Sequence, residues 1–255
     1  MKKLFLTIVW TLSILLPIKS LAQNLEPYAV LSEGNTVLTF YYDNQKDARE
    51  GMSVGPFTNS SERGWYEARE SITSVVFDAS FADCTTLTST AYWFASCSNL
   101  ITITDIQYLK TDNVTDMRTM FIGCSELTTL DLSSFSTSNV TNMGSMFYGC
   151  SNLATIYASY DWDNSHVTNG DNMFYGCYGL RGGKGTVYEP DCTNVGFAHI
   201  DEGTAYPGYF TDKNAPQPYA VLSEGNTVLT FYYDDQREAR EGMSVGPFTD
   251  YNQRR

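Results

Sequence analysis

Met146-Phe147-Tyr148-Gly149-Cys150 is one of four versions of a single phrase. The others are Trp93-Phe94-Ala95-Ser96-Cys97, Met120-Phe121-Ile122-Gly123-Cys124 and Met173-Phe174-Tyr175-Gly176-Cys177. The cysteines lie 27, 26 and 27 residues apart, and a leucine follows each by three: Leu100, Leu127, Leu153 and Leu180. Seven residues before each phenylalanine stand Leu87, Val114, Val140 and Val167. A fixed period in the twenties marks a chain of repeats, each too small to bury its own apolar face.

Within one repeat, Leu130 and Leu132 show the two-residue period of a strand. Met143, Met146, Phe147 and Cys150 fall at i, i+3, i+4 and i+7, the spacing of one helix face, and Met117, Met120, Phe121 and Cys124 repeat it. Thr115 and Thr141 stand where N-caps would. One short strand and one short helix per 26–27-residue coil predict an α/β solenoid of leucine-rich-repeat type, with four coils over 71–180.

The flanks read as caps. Residues 23–70 hold two strand-like runs, Tyr28–Leu31 and Thr36–Tyr42, around the turn residues Ser32-Glu33-Gly34-Asn35, which predicts a capping β-hairpin. Residues 181–212, rich in Gly and Pro, read as a C-terminal cap, and 213–217 as a linker. From Pro218 the chain restates its own opening: Pro218–Thr249 matches Pro27–Thr58 at 29 of 32 positions. Residues 218–255 are therefore expected to be the truncated start of a second module. Residues 1–22 carry Lys2 and Lys3, an apolar run and Ser20-Leu21-Ala22, the pattern of a cleavable signal peptide. The expected location is secreted or cell-surface, with no membrane insertion after cleavage.

Without residues 1–22 the chain has 13 basic and 29 acidic residues, a net charge of −16. That balance argues against nucleic acid as a partner. Six cysteines in an exported protein suggest disulfides, but four of them share one position in successive repeats, which points instead to a ladder of small buried side chains. His166 replaces Asn139 of the preceding repeat, and His199 falls in the C-terminal cap; neither has metal-binding spacing. Asp161, Asp163 and Ser165 resemble the start of a calcium loop, but the turn glycine and the closing glutamate are missing. Asn113-Val114-Thr115 and Asn139-Val140-Thr141 match a glycosylation pattern, yet they are the repeat consensus itself. No nucleophile has a recognisable base partner, so no enzyme, cofactor or metal is expected.

Leu127–Phe135, Thr137–Met143 and Met146–Leu153 together resemble the BspA-like leucine-rich-repeat surface proteins of Bacteroidetes, a repeat family shared with mycoplasma lipoproteins. The resemblance covers about 27–211 and resumes at 218. It implies surface display and adhesion to a host or bacterial surface protein or glycan, and brings no catalytic residues. The expected function is a non-enzymatic protein-binding or adhesion module; the alternatives are a structural surface protein without a ligand and a secreted hydrolase. If Leu130 and Leu132 face inward, their strand neighbours face outward. Aligned repeat by repeat, that outward set is Ser74, Thr102, Thr129 and Thr155, beside Val76, Thr104, Asp131 and Tyr157. This concave face is the candidate binding surface, with Asp131 and Tyr157 at its centre.

Overall fold

A computed structural model describes residues 24–215, 217–223, 227–234 and 243–244. The expected signal peptide lies outside them, as do residue 216 of the expected linker and parts of 218–255. The strands are β1 (Glu26–Ser32), β2 (Val37–Asp43), β3 (Met52–Ser53), β4 (Ser74–Phe77), β5 (Thr102–Thr104), β6 (Thr129–Asp131), β7 (Thr155–Ala158), β8 (Phe210–Asp212), β9 (Gln217–Ser223), β10 (Val228–Asp234) and β11 (Met243–Ser244). They form a five-stranded sheet, β3-β1-β2-β4-β5, and two three-stranded sheets, β6-β7-β8 and β10-β9-β11. None of the three is closed.

The expected α/β solenoid of leucine-rich-repeat type is not what this chain forms. Among the described residues there is no α-helix, only 3₁₀ segments of three to five residues. The phrase that imitates a helix shows why. Met146, Tyr148 and Cys150 each donate their amide three residues back, to the carbonyls of Met143, Ser145 and Phe147. The intervening amides of Met143, Ser145, Phe147 and Gly149 leave the repeat entirely. They donate to the carbonyls of Asn169, Asp171, Met173 and Tyr175 in the next repeat, at 2.7–2.9 Å. Ser145 and Gly149 are left-handed, at φ 55° and 74°, and no α-helix tolerates two such residues in one turn and a half. Thr119 and Gly123, and Asn172 and Gly176, repeat that pair, and Ser96 takes the glycine's place in the first repeat. A run of tight turns thus places Met143, Met146, Phe147 and Cys150 inward, as a helix would.

Thr115 and Thr141 do not cap helices either. Their hydroxyls donate one repeat back, to the carbonyls of Thr88 and Thr115 at 3.3 and 3.2 Å. Asn113 and Asn139 likewise donate to the carbonyls of Thr85 and Asp112, so the apparent glycosylation motifs hold repeats together. Isolated parallel bridges run Ser89 to Asp116 to Asn142 to Asn169.

Inside, identical residues lie on one another. The rings of Phe94, Phe121, Phe147 and Phe174 follow at 5.4, 5.6 and 5.6 Å between centroids. Cys97, Cys124, Cys150 and Cys177 are buried and unbridged. The thiols of Cys124, Cys150 and Cys177 donate to the carbonyls of Phe94, Phe121 and Phe147, one repeat back, at 3.0–3.1 Å. Each burial contributes roughly 1.5–3 kcal/mol for a large apolar side chain.

The ladder must end without orphaned backbone groups. The first repeat has no predecessor to donate to its carbonyls. Buried Arg63 stands in for one: its guanidinium donates to the carbonyls of Trp93 and Ala95 at 2.9 Å, and Trp65 Nε1 also reaches Trp93. Alongside, β1 and β2 pair antiparallel and β2 pairs parallel with β4, so Phe40 stacks on both Phe77 and Trp93, 4.8 Å from each. At the far end the amide of Phe174 donates to the carbonyl of Thr193 and that of Gly176 to the Tyr188 hydroxyl. Tyr209 and Phe210 cover Phe174 edge-on.

Candidate binding face

Strand alternation decides what faces outward. In β4 and β7 the residues Val75, Phe77, Ile156 and Ala158 are buried, as is Leu130 in β6. Between them Ser74, Val76, Asp131, Thr155 and Tyr157 are half-buried, while Thr102, Thr104 and Thr129 are exposed. Register aligns these residues: Ser74 with Thr102 and Val76 with Thr104, then Thr129 with Thr155 and Asp131 with Tyr157.

The eight residues nevertheless fall in two sheets, because β5 pairs only with β4 and β6 only with β7. Immediately after β5, Asp105 is left-handed at φ 60° and turns the chain away. The first group is internally bonded: the Thr102 hydroxyl donates to Ser74 Oγ at 3.3 Å and that of Thr104 to the Val75 carbonyl at 3.4 Å. β8 follows β7 in the second sheet, and Thr211, opposite Tyr157, is itself buried against Gly183.

Asp131 is more committed than its sequence position suggests. Lys213, one residue past β8, places its Nζ 2.5 Å from Asp131 Oδ2. The other oxygen accepts from the Ser133 amide at 3.0 Å and the Ser133 hydroxyl at 2.6 Å. Partial burial would raise this carboxyl, but the bonds from Lys213 and Ser133 outweigh it and hold the carboxyl below its ordinary value. The face therefore offers a neutralised pair, Asp131–Lys213, beside a tyrosine and a row of hydroxyls. Lys213 was missed because it reads as linker. The signal was present: Lys213 follows Thr211, the register partner of Tyr157, by one strand period and so falls on the same side of the sheet as Tyr157.

A second outward row also escaped the sequence reading. After the third and fourth motif phenylalanines, Tyr148 and Tyr175 are exposed and stacked at 4.9 Å, whereas Ala95, at the same place in the first repeat, is buried. Tyr178 is exposed as well, edge-on to Tyr188.

The remaining polar groups hold the fold. Burial would raise the Asp201 carboxyl, but it accepts from the amides of Lys184, Thr186 and Gly203 and from the Thr186 hydroxyl, which lower it. His199 stacks on Tyr206 at 3.9 Å and borders a cleft of about 80 Å³ with Tyr160, Trp162, Ile200 and Glu202. A second cavity, of about 170 Å³, lies between Val54–Pro56 and Thr86–Ser89. Both are smaller than the 300–1,000 Å³ usual for small-molecule sites. His166 is exposed, with Nδ1 3.2 Å from Ser165 Oγ and 3.9 Å from Asp163. Among the described residues no three His, Cys, Asp or Glu side chains cluster as metal ligands do, and no helix is long and apolar enough to cross a membrane.

No curated protein and no solved structure matches the chain. Residues 67–183, the span holding all four repeats of the motif phrase, match a family described as "Mycoplasma protein of unknown function, DUF285".

Proposed function

We propose that this protein is an exported, non-enzymatic binding module that adheres to a surface protein or glycan through the outward face of its repeat strands. The observation that carries the reading is the in-register row Thr129–Thr155 and Asp131–Tyr157. Hydroxyls, a phenol and a neutralised ion pair give donors and acceptors spread over several strands without a deep pocket. That pattern suits an extended macromolecular ligand better than a small one. Likeness to the BspA-like surface proteins and the signal-peptide pattern of residues 1–22 support the same reading.

The test displays the mature chain at high density on beads, so that weak single contacts add. The beads are passed over arrays of extracellular-matrix proteins and glycans. Tyr157→Ala and Thr129→Lys should each lower retention at least about fivefold on the probe that holds the parent, with circular dichroism unchanged. A parent retained by no probe would overturn the reading. Variants retained like the parent would move the contact away from this face.

A further inference from the structure

The second hairpin is a near-copy of the first, and the two differ in what lies beside them. The three substitutions, Asn44 to Asp235, Lys46 to Arg237 and Asp47 to Glu238, all fall after β2, so β10 repeats β2 residue for residue. The pairing is also the same. Val228 lies opposite Ser223 as Val37 lies opposite Ser32, and Met243 opposite Ala220 as Met52 opposite Ala29.

In the first hairpin the outer edge of β2 is filled by β4, with Leu38 against Val75 and Phe40 against Phe77. Leu38 and Phe40 have no exposed surface. Among the described residues the sheet of the second hairpin ends at β10, and the equivalent residues Leu229 and Phe231 are 49% and 67% exposed. An apolar strand edge of this kind is a template for another strand.

We infer that the β10 edge is a docking site for a further repeat module, whose first strand pairs parallel with β10 as β4 pairs with β2. The occupant is specified by what β2 holds. It carries a short strand with inward apolar residues at the Val75 and Phe77 positions and an aromatic at the Trp93 position to cover Phe231. The chain's own β4 does not qualify, because β2 already fills that edge from the same polypeptide. A second copy's β4 is occupied too, and exchanging one hairpin for its twin makes no new contact. This inference stands apart from the proposed binding face.

The test replaces residues 250–255 with a second copy of residues 59–212, joined directly after Thr249. Hydrogen exchange and calorimetry should then show the amides of β10 slowed at least about tenfold and the unfolding enthalpy roughly doubled. Phe231→Asp should abolish both changes in the extended chain and leave the melting of the unextended chain as it was. Appended repeats that fold equally well with Phe231→Asp, or that leave β10 exchanging freely, would overturn the inference. So would an unextended chain that dimerises with β10 protected, since a second copy would then be the occupant. One control asks whether the second hairpin's sequence is competent as a cap. Asn44→Asp, Lys46→Arg and Asp47→Glu together give the first hairpin that sequence over 27–58. Melting should stay within about 2 °C of the parent, and a collapse of the first module would overturn the inference.

Discussion

Cys150 shows how one small side chain serves both the core and the backbone. Its thiol is fully buried and donates to the Phe121 carbonyl, so it fills space and satisfies an acceptor together. Burial disfavours the thiolate and pushes the ladder thiols up: Cys97 to about 11 despite the nearby Arg63, Cys177 to about 12, and Cys124 and Cys150 well above the ordinary value. The consequence for stability has a definite sign. Above pH 9 the unfolded thiols lose protons that the folded ones keep, so stability falls as pH rises from 9 towards 11 and is unaffected by these groups below. Each thiol contributes up to about 1.4 kcal/mol per pH unit in that window. Urea titrations from pH 8 to 11 should show this alkaline loss, and Cys150→Ser, whose hydroxyl does not titrate there, should make it shallower. Equal slopes for parent and variant would mean the thiol is not buried. The ladder was legible in the sequence because four cysteines at one period share one environment. Asp131 was legible as outward-facing but not as neutralised, because Lys213 lies 82 positions further along the chain and meets it only through β7 and β8.

At the scale of the element, the apolar spacing of the motif was read correctly and its backbone was not. Spacing at i, i+3, i+4 and i+7 reports which side chains share a side, and tight turns with two left-handed residues satisfy it as well as a helix does. The discriminating signal was glycine at a fixed place two residues after phenylalanine. In a helix interior that glycine only destabilises, whereas at φ of 72–78° it is the residue that fits. The inward set, being common to both backbones, predicts the same core. Phe147 stacks on Phe121 and Phe174, 5.6 Å from each, with no exposed surface. Phe147→Ala should destabilise the molecule by about 3–5 kcal/mol. Thermal melting measures it, and a midpoint within a degree of the parent would remove Phe147 from the core.

Across the whole molecule, stability runs through a ladder in which alternate amides leave each repeat for the next, and both ends are closed by groups that imitate a missing neighbour. The change of composition at residues 70 and 180 led to the expectation that closing segments flank the repeats. It could not show that Arg63 and Trp65 stand in for backbone amides, since that substitution exists only once Trp93 and Ala95 are in place. The split of the outward face between two sheets was hidden for a similar reason: β5 and β6 have equivalent sequences but no common ladder. Left-handed turns and bonds between repeats replace helices in this chain, and the sign of one substitution tests that replacement. Gly149 has φ 74°, and a Cβ there would meet nothing nearer than 3.8 Å, so Gly149→Ala probes backbone conformation rather than space. The account predicts a loss of about 1–2 kcal/mol, lowering the melting temperature by about 3–6 °C. In a helix interior the same change would stabilise by about 1 kcal/mol, so a raised melting temperature would contradict the account.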